Sequence, residues 1–550
     1  MSFKHRRSRI EYEPLPRDSL DEDAKDHSEQ HHETAPSWLA RLCSKLRISN
    51  LPDRGAYAHY VTPRRRKRSV LRLIYWTVFA VPYICLVLVL CASIFFPSYT
   101  VRPAHYNELR KRAQENALPG RANPYSERVF ISAALYEEKG HLTSGVWGRK
   151  VLQLIDLLGA DNVHLSIYED NPDLKTKQSL VEFRETVPCK RFPCSEFSLA
   201  HQTGNSTILF EELDLSTLPH TTLPNGDERL KRIAFLSEVR NRALAPINNH
   251  GVKFDKVLFI NDVVFDPVEA TQLLFATNID STGRANYAAA CAVDFINPFK
   301  FYDRFATRDL EAGVTGIPFY PWFTSRGGAT SRNDVLSGTD AVRVRSCWGG
   351  MVAYEARWFQ DQTTLGPRAV IESPSAQDTS PDLRMVPLRF RYDKGTFWES
   401  SECCLINADL QYRQTGQGLP SEPRIFMNPY IRVAYDESTL SWLSLTRRPE
   451  RLYSLIHDWL NKAVGFRTAS RPGEELGSTV TDTEWEYDDA VKAFAANATN
   501  SDFTGHWVQK ERKADLGGWC GGPNLLVINE KPEHGEGKWS KIWPPHPPSE

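Results

Sequence analysis

The stretch that decides the fold reads Lys256-Val257-Leu258-Phe259-Ile260-Asn261-Asp262-Val263-Val264-Phe265. Its first five residues predict a buried strand, and the polar pair Asn261 and Asp262 follows that strand directly. A carboxylate at such a strand end can hold a hard divalent cation on a diphosphate, and the cation stabilises the charge of the leaving phosphates. We therefore expect Asp262 to be a metal ligand and Asn261 to assist in binding the donor. The alternative is that Asn-Asp simply ends the strand in a turn.

Strands and helices alternate on both sides of this stretch. The apolar spacing predicts strands over 129–135, 162–168 and 287–293, and helices over 146–158, 233–244 and 268–276. Alternation of this kind implies an α/β fold with a mostly parallel sheet between helices. In such sheets ligands bind at the carboxyl ends of the strands, so polar residues that follow the strands are the first candidates for a site.

A predicted helix just upstream of the central strand carries Arg240, Asn241 and Arg242. These side chains are of the kind that reach the phosphates or the base of a nucleotide donor. The other interpretation is a solvated helix face on which Glu238 and Arg242 form an i, i+4 ion pair. The residues alone leave both interpretations open.

Two further segments carry polar or glycine residues close to predicted strand ends. Asp294 directly follows the predicted strand 287–293 and could line the same cleft as Asn261 and Asp262. Gly349 and Gly350 follow Trp348 directly. Two glycines there permit close approach of the backbone to a ligand, or they form a tight turn.

The segment 397–410 contributes two more acidic residues, Glu399 and Glu402. They are three positions apart, so on a helix they would share a face. A carboxylate beside an acceptor hydroxyl can act as a base or stabilise an oxocarbenium-like transition state. An acidic first helical turn is the ordinary alternative. Glu402, Glu399 and Asp294 are thus the candidate catalytic residues.

The charges of the whole chain are balanced. Its 550 residues hold 67 Lys and Arg against 68 Asp and Glu. This balance argues against a nucleic-acid partner bound through phosphate contacts. The length allows one large catalytic domain or two ordinary ones.

Residues 73–96 contain no charged side chain. A helix of this length would be about 36 Å long, enough to cross about 30 Å of hydrocarbon. A buried core helix is the alternative, but such helices seldom run so long without a charge. Basic residues are denser before the span (64–68 and Arg72) than in 97–104, which holds only Arg102, so we expect the amino-terminal side in the cytoplasm.

This placement sets the predicted organisation of the chain. It comprises a disordered cytoplasmic tail (1–70), a transmembrane signal-anchor helix (71–97), a lumenal stem (98–127), a catalytic domain (128–470) and a C-terminal extension with a polar, Pro-rich tail (471–550). Sequons at Asn205 and Asn497 fit a lumenal position. Seven cysteines follow the span, so at least one is unpaired or bonded to another chain. Cys189 and Cys194 could close a small loop.

Five segments in the same order resemble the fungal α-1,3-mannosyltransferases of glycosyltransferase family 69, the group of cryptococcal mannosyltransferases and capsule-associated proteins. They are Phe130–Tyr136, Ser237–Leu244, Phe259–Phe265, Cys347–Gly350 and Ser401–Leu405. The resemblance spans about residues 128–436. It implies a GT-A-like nucleotide-sugar-binding domain in a type II Golgi membrane protein.

The resemblance also implies a reaction. The donor would be GDP-mannose with a divalent cation, Mn²⁺ or Mg²⁺, and mannose would pass with net retention to the 3-hydroxyl of an α-mannoside in polysaccharide or glycan synthesis. The residues expected around the donor are Arg240, Asn241, Arg242, Asn261, Gly349 and Gly350, with Asp262 on the metal.

Two alternative functions stay open from the sequence. Only the last position of the usual Asp-x-Asp triplet is acidic, because Ile260 and Asn261 precede Asp262. This favours a non-catalytic protein of polysaccharide assembly or export on the same fold. The second alternative is a transferase that uses another nucleotide sugar.

Overall fold

A computed structural model of the chain describes residues 70–115, 117–137, 139–188, 206–223, 228–248, 252–360, 371–372, 386–395, 397–464, 474, 476–487, 505–530 and 537–542. Several features expected from the sequence lie outside these ranges. They are the cytoplasmic tail up to residue 69, the loop between Cys189 and Cys194, the sequon residues Asn205 and Asn497, and residues 543–550 of the C-terminal tail.

The chain forms two compact units, residues 1–85 with 532–537 and residues 86–531 with 538–550. Of the first unit, the structure describes residues 70–85, which begin helix α1, and Gly537. The other described helices and strands all lie in the second unit.

Helix α1, Val70–Phe95, is apolar and largely exposed. Its segment Ile74–Phe95 has 22 residues and a mean hydropathy of 2.7, with only 6% of its most apolar window buried. The segment is therefore long and apolar enough to cross a membrane. Because its apolar side chains face outward, it is not a core helix of the folded domain.

The remaining helices are α2 (Ala104–Glu115), α3 (Val146–Leu158), α4 (Leu174–Thr186), α5 (Arg232–Leu244), α6 (Pro267–Ala276), α7 (Thr330–Ser337), α8 (Glu402–Thr415), α9 (Glu437–Thr446) and α10 (Ser454–Val464). The strands are β1 (Val129–Leu135), β2 (Val163–Asp170), β3 (Ser206–Glu211), β4 (His220–Thr222), β5 (Glu228–Lys231), β6 (Lys256–Ile260), β7 (Ala289–Phe295), β8 (Arg308–Asp309), β9 (Val342–Ser346), β10 (Met351–Glu355), β11 (Ile371–Glu372), β12 (Arg391–Tyr392), β13 (Glu399–Ser400), β14 (Ile425–Ala434), β15 (Thr479–Tyr487), β16 (Gly505–Lys513), β17 (Gly521–Gly522), β18 (Leu525–Ile528) and β19 (Trp539–Ile542).

Nine of these strands form one sheet in the order β3-β2-β1-β6-β10-β7-β14-β9-β8. The strands β3, β2, β1 and β6 pair in parallel, and β7 and β14 do the same. Every antiparallel pair in this sheet includes β10 or β9, so only these two strands run against the common direction. The expected α/β fold with a mostly parallel sheet is confirmed.

The central strands of the sheet are buried on both faces. Every residue of β6 and β7 is buried, and β1 has one partly exposed residue, Ala134. Such strands are typical of a sheet that helices cover on both sides. Here α3 packs against α6, and α5 packs against β1 and β2. The faces are thus occupied, and polar side chains gather at the strand ends.

A helix and a strand lie in the glycine-rich stretch at residues 327–350. They are α7 and β9, which were not among the elements predicted from the apolar spacing. The strand β9 contains Arg343 and Arg345, which interrupt its apolar pattern. Arg345 is nevertheless buried, because its Nη1 donates to Gln411 Oε1 at 3.0 Å and its Nε donates to Leu310 O at 2.8 Å. These partners are distant in sequence and leave no local signal.

The C-terminal extension folds back onto the preceding part of the chain. The strand β17 pairs with β13, and β18 pairs with β5. A disulfide between Cys404 and Cys520 fastens the extension to α8. Arg308 donates hydrogen bonds to the carbonyl oxygens of Trp519 (2.9 Å) and Cys520 (2.7 Å). Residues 518–528 are therefore part of the same folded unit as the main sheet.

Loss of the Cys404–Cys520 disulfide should destabilise this unit. The two cysteines are 116 residues apart, and closing a loop of this size stabilises a folded domain by roughly 2–5 kcal/mol. The variant Cys404→Ser/Cys520→Ser should therefore unfold at a clearly lower temperature than the wild type in a thermal melt. Cys91→Ser removes an exposed unpaired thiol and serves as the control. Equal melting of the double variant and this control would contradict the prediction.

Candidate active site

Several chain segments meet at the carboxyl end of β6. Because β10 runs antiparallel to β6, its first residue Met351 pairs with Ile260, the last residue of β6. The backbone N–H of Asn261 then donates to Gly350 O at 2.9 Å. The loop before β10 thus lies beside the residues that follow β6, at the end of the sheet where β1 and β7 also terminate.

The side chain of Asn261 connects three of these segments. Its Oδ1 accepts hydrogen bonds from Arg240 Nη1 at 3.3 Å and from Trp348 Nε1 at 3.2 Å. Its backbone carbonyl accepts a third from Trp147 Nε1 at 2.8 Å. Since two donors already share its side-chain oxygen, Asn261 positions its neighbours.

Arg240 lies at the centre of the site and is mostly buried. Its Nε donates to Glu402 Oε1 at 3.1 Å, and its Cζ lies 4.7 Å from the centre of the Trp348 ring and 5.7 Å from that of Phe390. Burial lowers the pKa of Arg240, but Cys403 and Glu402 raise it by more, so the net shift is upward. Within the described residues its Nη2 donates no hydrogen bond. The site therefore presents a fixed positive charge with one donor group to spare.

The turn before β10 depends on Gly349 and Gly350, whose φ values are +57° and +67°. A Cβ on Gly349 would lie 2.0 Å from Ala292 O, and one on Gly350 would lie 2.8 Å from Val263 Cγ1. No other residue fits here, because the turn packs directly on β7. The disulfide Cys291–Cys347 fixes the start of the turn to the same strand.

Asp294 and Asp303 form an acidic pair next to this turn. The carboxylate of Asp294 accepts hydrogen bonds from Asp303 N–H at 3.0 Å and from Tyr435 O–H at 3.1 Å. Asp303 in turn accepts one from Gly349 N–H at 3.0 Å. Burial and then the charge of Asp303 raise the pKa of Asp294 to about 8, and burial raises that of Asp303. Both carboxyl groups hold surrounding structure in place.

Asp262 is partly exposed, whereas Asp294 and Glu402 are buried. It lies near Tyr302 and Tyr435, whose pKa values are raised by burial first and then by nearby aspartates that include Asp262. The described part of the chain contains no group of three or more His, Cys, Asp or Glu side chains arranged to hold a metal. One carboxylate fits a cation that is shared with the phosphates of a bound donor, since Mg²⁺ commonly takes one or two protein carboxylates besides phosphate oxygens.

Two of the expected donor-binding residues lie apart from this group. Asn241 exchanges hydrogen bonds with the backbone of Phe390, each 2.8 Å long. Arg242 forms an ion pair with Glu238 at 2.7 Å and another with Glu211. The pair between Arg242 and Glu238 is the i, i+4 ion pair expected if this face of the helix is solvated. Asn241 and Arg242 are thus engaged in holding α5 in its place.

Glu399 is not on the same helix as Glu402. It lies in β13, and α8 begins at Glu402, so the expectation that the two acids share a helix face is wrong. Glu399 is fully buried, with Oε1 at 3.1 Å from Lys231 Nζ. Burial raises its pKa to about 8 in spite of this cation. Its position is that of a buried ion pair between β13 and β5.

Sequence reasoning missed several polar residues near the site. Tyr435 follows β14 directly, but β14 was not among the predicted strands. Asp303 lies in the loop after β7, beyond the strand end itself. Glu137 and Glu169 lie at the carboxyl ends of β1 and β2, where the rule for parallel sheets already pointed.

Glu137 and Glu169 organise the ends of these two strands. Glu169 Oε1 accepts a hydrogen bond from Glu137 N–H at 2.9 Å, and Glu137 Oε1 accepts from Leu142 N–H at 2.7 Å and Thr143 N–H at 2.9 Å. Glu169 Oε2 is buried and has no hydrogen-bond partner among the described residues. Burial raises the pKa of Glu169 to about 9.

The chain has a GT-A-like α/β fold, with a mostly parallel sheet and polar residues at the carboxyl end of its central strand. A family model described as "Cryptococcal mannosyltransferase 1" matches residues 128–409, just over half of the chain. The chain belongs to this family, as the resemblance in the sequence indicated. The match includes Arg240, Asn261, Asp262 and Glu402, and it supports a role in mannosyl transfer.

Solved structures with a similar fold are distant. The mannosyltransferase PcManGT from Pyrobaculum calidifontis, in complex with GDP-Man and Mn²⁺, is 11% identical with a TM-score of 0.27, covering 71% of this chain and 76% of its own. Glucosyl-3-phosphoglycerate synthase from Mycobacterium tuberculosis, with phosphoglyceric acid, is 12% identical with a TM-score of 0.26, covering 69% and 89%. These likenesses are too remote to assign a donor or a metal. A comparison with curated proteins gave no match.

The raised pKa of Glu169 predicts a pH dependence of stability. The folded chain retains this proton up to about pH 9, whereas an unfolded chain releases it near the ordinary value of 4.5. Stability from this residue is thus fully present below pH 4.5 and is lost as the pH rises towards 9. Between pH 5.5 and 8.5 the wild type should lose up to about 4 kcal/mol relative to Glu169→Gln. Thermal melts of both proteins across this range test it, and parallel pH profiles would contradict it.

Proposed function

We propose that the chain is a type II Golgi membrane α-1,3-mannosyltransferase. It transfers mannose from GDP-mannose to the 3-hydroxyl of an α-mannoside during polysaccharide or glycan synthesis. The observation that carries the proposal is the convergence of Arg240, Asn261, Asp262 and Trp348–Gly350 at one strand end in a member of a mannosyltransferase family. An assembly or export protein without catalysis would not need a charged arginine and a partly exposed aspartate at this position.

In this proposal the donor phosphates lie between Asp262 and Arg240. Asp262 would hold a divalent cation, which would supply positive charge for the phosphates of the leaving GDP. The Nη2 of Arg240 donates to a phosphate oxygen, since Glu402 and Asn261 occupy Nε and Nη1. Stacking on Trp348 keeps the guanidinium plane fixed, so little conformational entropy is lost when the donor binds.

The remaining carboxyl groups support the site in different ways. Glu402 positions Arg240, and Asp294 positions Tyr435 and the loop of Asp303. The hydroxyl of Tyr435 therefore has a fixed place close to Asp262, where it can contact the transferred sugar or the acceptor. Family membership is the basis for net retention, and we assign no nucleophile.

The membrane topology in the proposal combines two observations. The apolar helix Ile74–Phe95 follows a basic segment at residues 64–68, which favours a cytoplasmic amino terminus. The disulfides Cys291–Cys347 and Cys404–Cys520 favour an oxidising compartment for the domain after the helix. GDP-mannose would then have to be imported into the lumen.

Replacing the proposed metal ligand tests the function directly. Asp262→Asn keeps the size of the side chain but removes its charge, so the stabilisation of the leaving phosphates is lost. Since such stabilisation amounts to several kcal/mol, kcat/KM for mannose transfer to an α-mannoside with GDP-mannose and Mn²⁺ should fall at least 100-fold or so. The assay uses the purified full chain in detergent.

A matched control separates this effect from general damage. Asp161 is exposed at the opposite end of the sheet, before β2, and Asp161→Asn should retain full activity. A donor panel of GDP- and UDP-sugars belongs to the same experiment, because a preference for another donor would refute the choice of GDP-mannose. Absence of transfer with every donor, together with no metal-dependent binding of GDP-mannose in calorimetry, would favour the non-catalytic alternative.

Arg240→Lys should weaken donor binding more than it slows transfer. The variant keeps the charge, but a lysine cannot stack on Trp348 while bonding Glu402, Asn261 and a phosphate at once. Loss of one charge-assisted hydrogen bond should raise the Kd for GDP-mannose roughly 10-fold or more. Calorimetry with GDP-mannose measures the change. The counterpart Arg242→Lys, on the outer side of the same helix, should bind like the wild type, and equal affinities for all three proteins would exclude Arg240 from the donor site.

A further inference from the structure

The helices α9 and α10 each carry large apolar side chains that the rest of the described chain leaves exposed. Five large side chains on it are more than half exposed: Trp442 (52%), Leu445 (56%), Leu455 (78%), Ile456 (52%) and Trp459 (69%). We refer to these five residues as the α9–α10 face. Trp442 and Leu445 share one side of α9, and Leu455, Ile456 and Trp459 share one side of α10, because residues three or four apart are neighbours on a helix. Exposed apolar residues grouped in this way mark a surface that contacts a partner or a membrane.

The helix α10 packs its polar side against the domain and exposes its apolar side, which is the opposite of a surface helix on a soluble domain. Its buried side is polar, because His457 Nε2 donates to Ile317 O at 3.2 Å and His457 Nδ1 accepts from Arg332 Nη1 at 2.9 Å. Asn461 Oδ1 accepts from Ile317 N–H at 2.7 Å on the same side. The apolar residues Leu455 and Trp459 point outward instead. A helix in contact with water would place these two groups the other way round.

The turn between α9 and α10 is tied to the segment that follows the apolar helix α1. Three residues after the last residue of α1, Phe95, the hydroxyl of Ser98 donates to Glu450 Oε1 at 2.6 Å. Glu450 is buried in the turn between α9 and α10, where it forms two hydrogen bonds with Arg432, at 2.7 and 2.9 Å. Three residues of extended chain span at most about 11 Å. The backbone of Ser98 therefore lies within about 11 Å of the end of α1, and its side chain binds Glu450 in the turn between α9 and α10.

We propose that the α9–α10 face inserts into the interface of the lipid bilayer that α1 spans. This inference rests on the membrane anchoring put forward under the proposed function. Tryptophan with leucine and isoleucine on one side of a helix is the composition of helices that lie in the headgroup region. The exposed cations Arg448 and Lys462 flank the face and can bind lipid phosphates. The catalytic domain is then seated on the membrane through three elements and is not suspended on a flexible stem.

Photo-crosslinking in the full chain tests the proposal. Benzoyl-phenylalanine replaces Leu455 or Trp459, one at a time, in protein reconstituted into phosphatidylcholine nanodiscs with a radiolabelled lipid. We expect lipid adducts at both positions at several-fold the level of a control at Leu174. Leu174 is 85% exposed at the start of α4 and is equally apolar. Leu174 follows the strand β2. Four strands lie between β2 and β14, which places these two strands about 24 Å apart across the sheet.

A photo-crosslinking probe at Val87 in α1 tests the membrane span separately from the α9–α10 face. Lipid adducts at Val87 without any at Leu455 or Trp459 overturn the docking surface and leave the membrane span intact. Absence of adducts at all positions, Val87 included, refutes the span and with it the proposed topology. Adducts between two copies of the chain at Trp459, in place of lipid adducts, would assign the face to a protein interface and overturn the proposal. Because the substituted positions are exposed, the variants should fold as the wild type does, which a thermal melt confirms.

Discussion

The site depends on how one buried strand ends. A strand that is covered on both faces has to deliver its last peptide groups to polar partners, because unpaired groups in the interior cost several kcal/mol. At the end of β6 the partners are the backbone of Gly350 and the side chains of Arg240, Trp348 and Trp147, all joined through Asn261. The side-chain amide of Asn261 therefore suits this position better than an aspartate carboxylate would. It accepts from two donors without adding a second negative charge next to Glu402.

The other residues of the site are held in place by contacts that begin at Asn261. Arg240 remains charged in a mostly buried place because Glu402 compensates it and aromatic rings cover it. The turn at Gly349 and Gly350 can approach β7 only because these two residues lack side chains. The carboxyl group of Asp303 accepts a hydrogen bond from the N–H of Gly349. Many polar groups of the site are satisfied before any ligand arrives, among them Nε and Nη1 of Arg240, the side-chain oxygen of Asn261 and the carboxyl group of Asp303. Preorganisation of this kind lowers the entropic cost of binding.

Much of the fold was visible in the sequence because its central elements follow local rules. The strands at Val129–Leu135 and Lys256–Ile260 and the helix at Val146–Leu158 match their predicted bounds, since uninterrupted apolar runs and a terminal glycine define them. Arg240, Asn261, Glu402 and Asp294 were all predicted as site residues, Asn261 and Asp294 from their places after strands. What escaped prediction depends on partners far away in the chain. Arg345 bonds Gln411, Glu399 is ion-paired with Lys231, and Tyr435 follows a strand with Arg432 and Asn428 buried inside it.

The pairing of β18 with β5 sets an order of events during synthesis. One edge of β5 pairs with the nearby β4, but on its other edge Lys231 and Leu230 pair with Val527 and Ile528, almost three hundred residues later. At a typical 5–20 residues per second, β5 waits roughly 15 to 60 s before its partner leaves the ribosome. Throughout that interval an unpaired strand edge next to the Arg240 helix is open to wrong pairing. The chain would consequently depend on chaperones more than its regular βα core suggests, and a chain truncated before Leu525 would leave this edge of β5 unpaired.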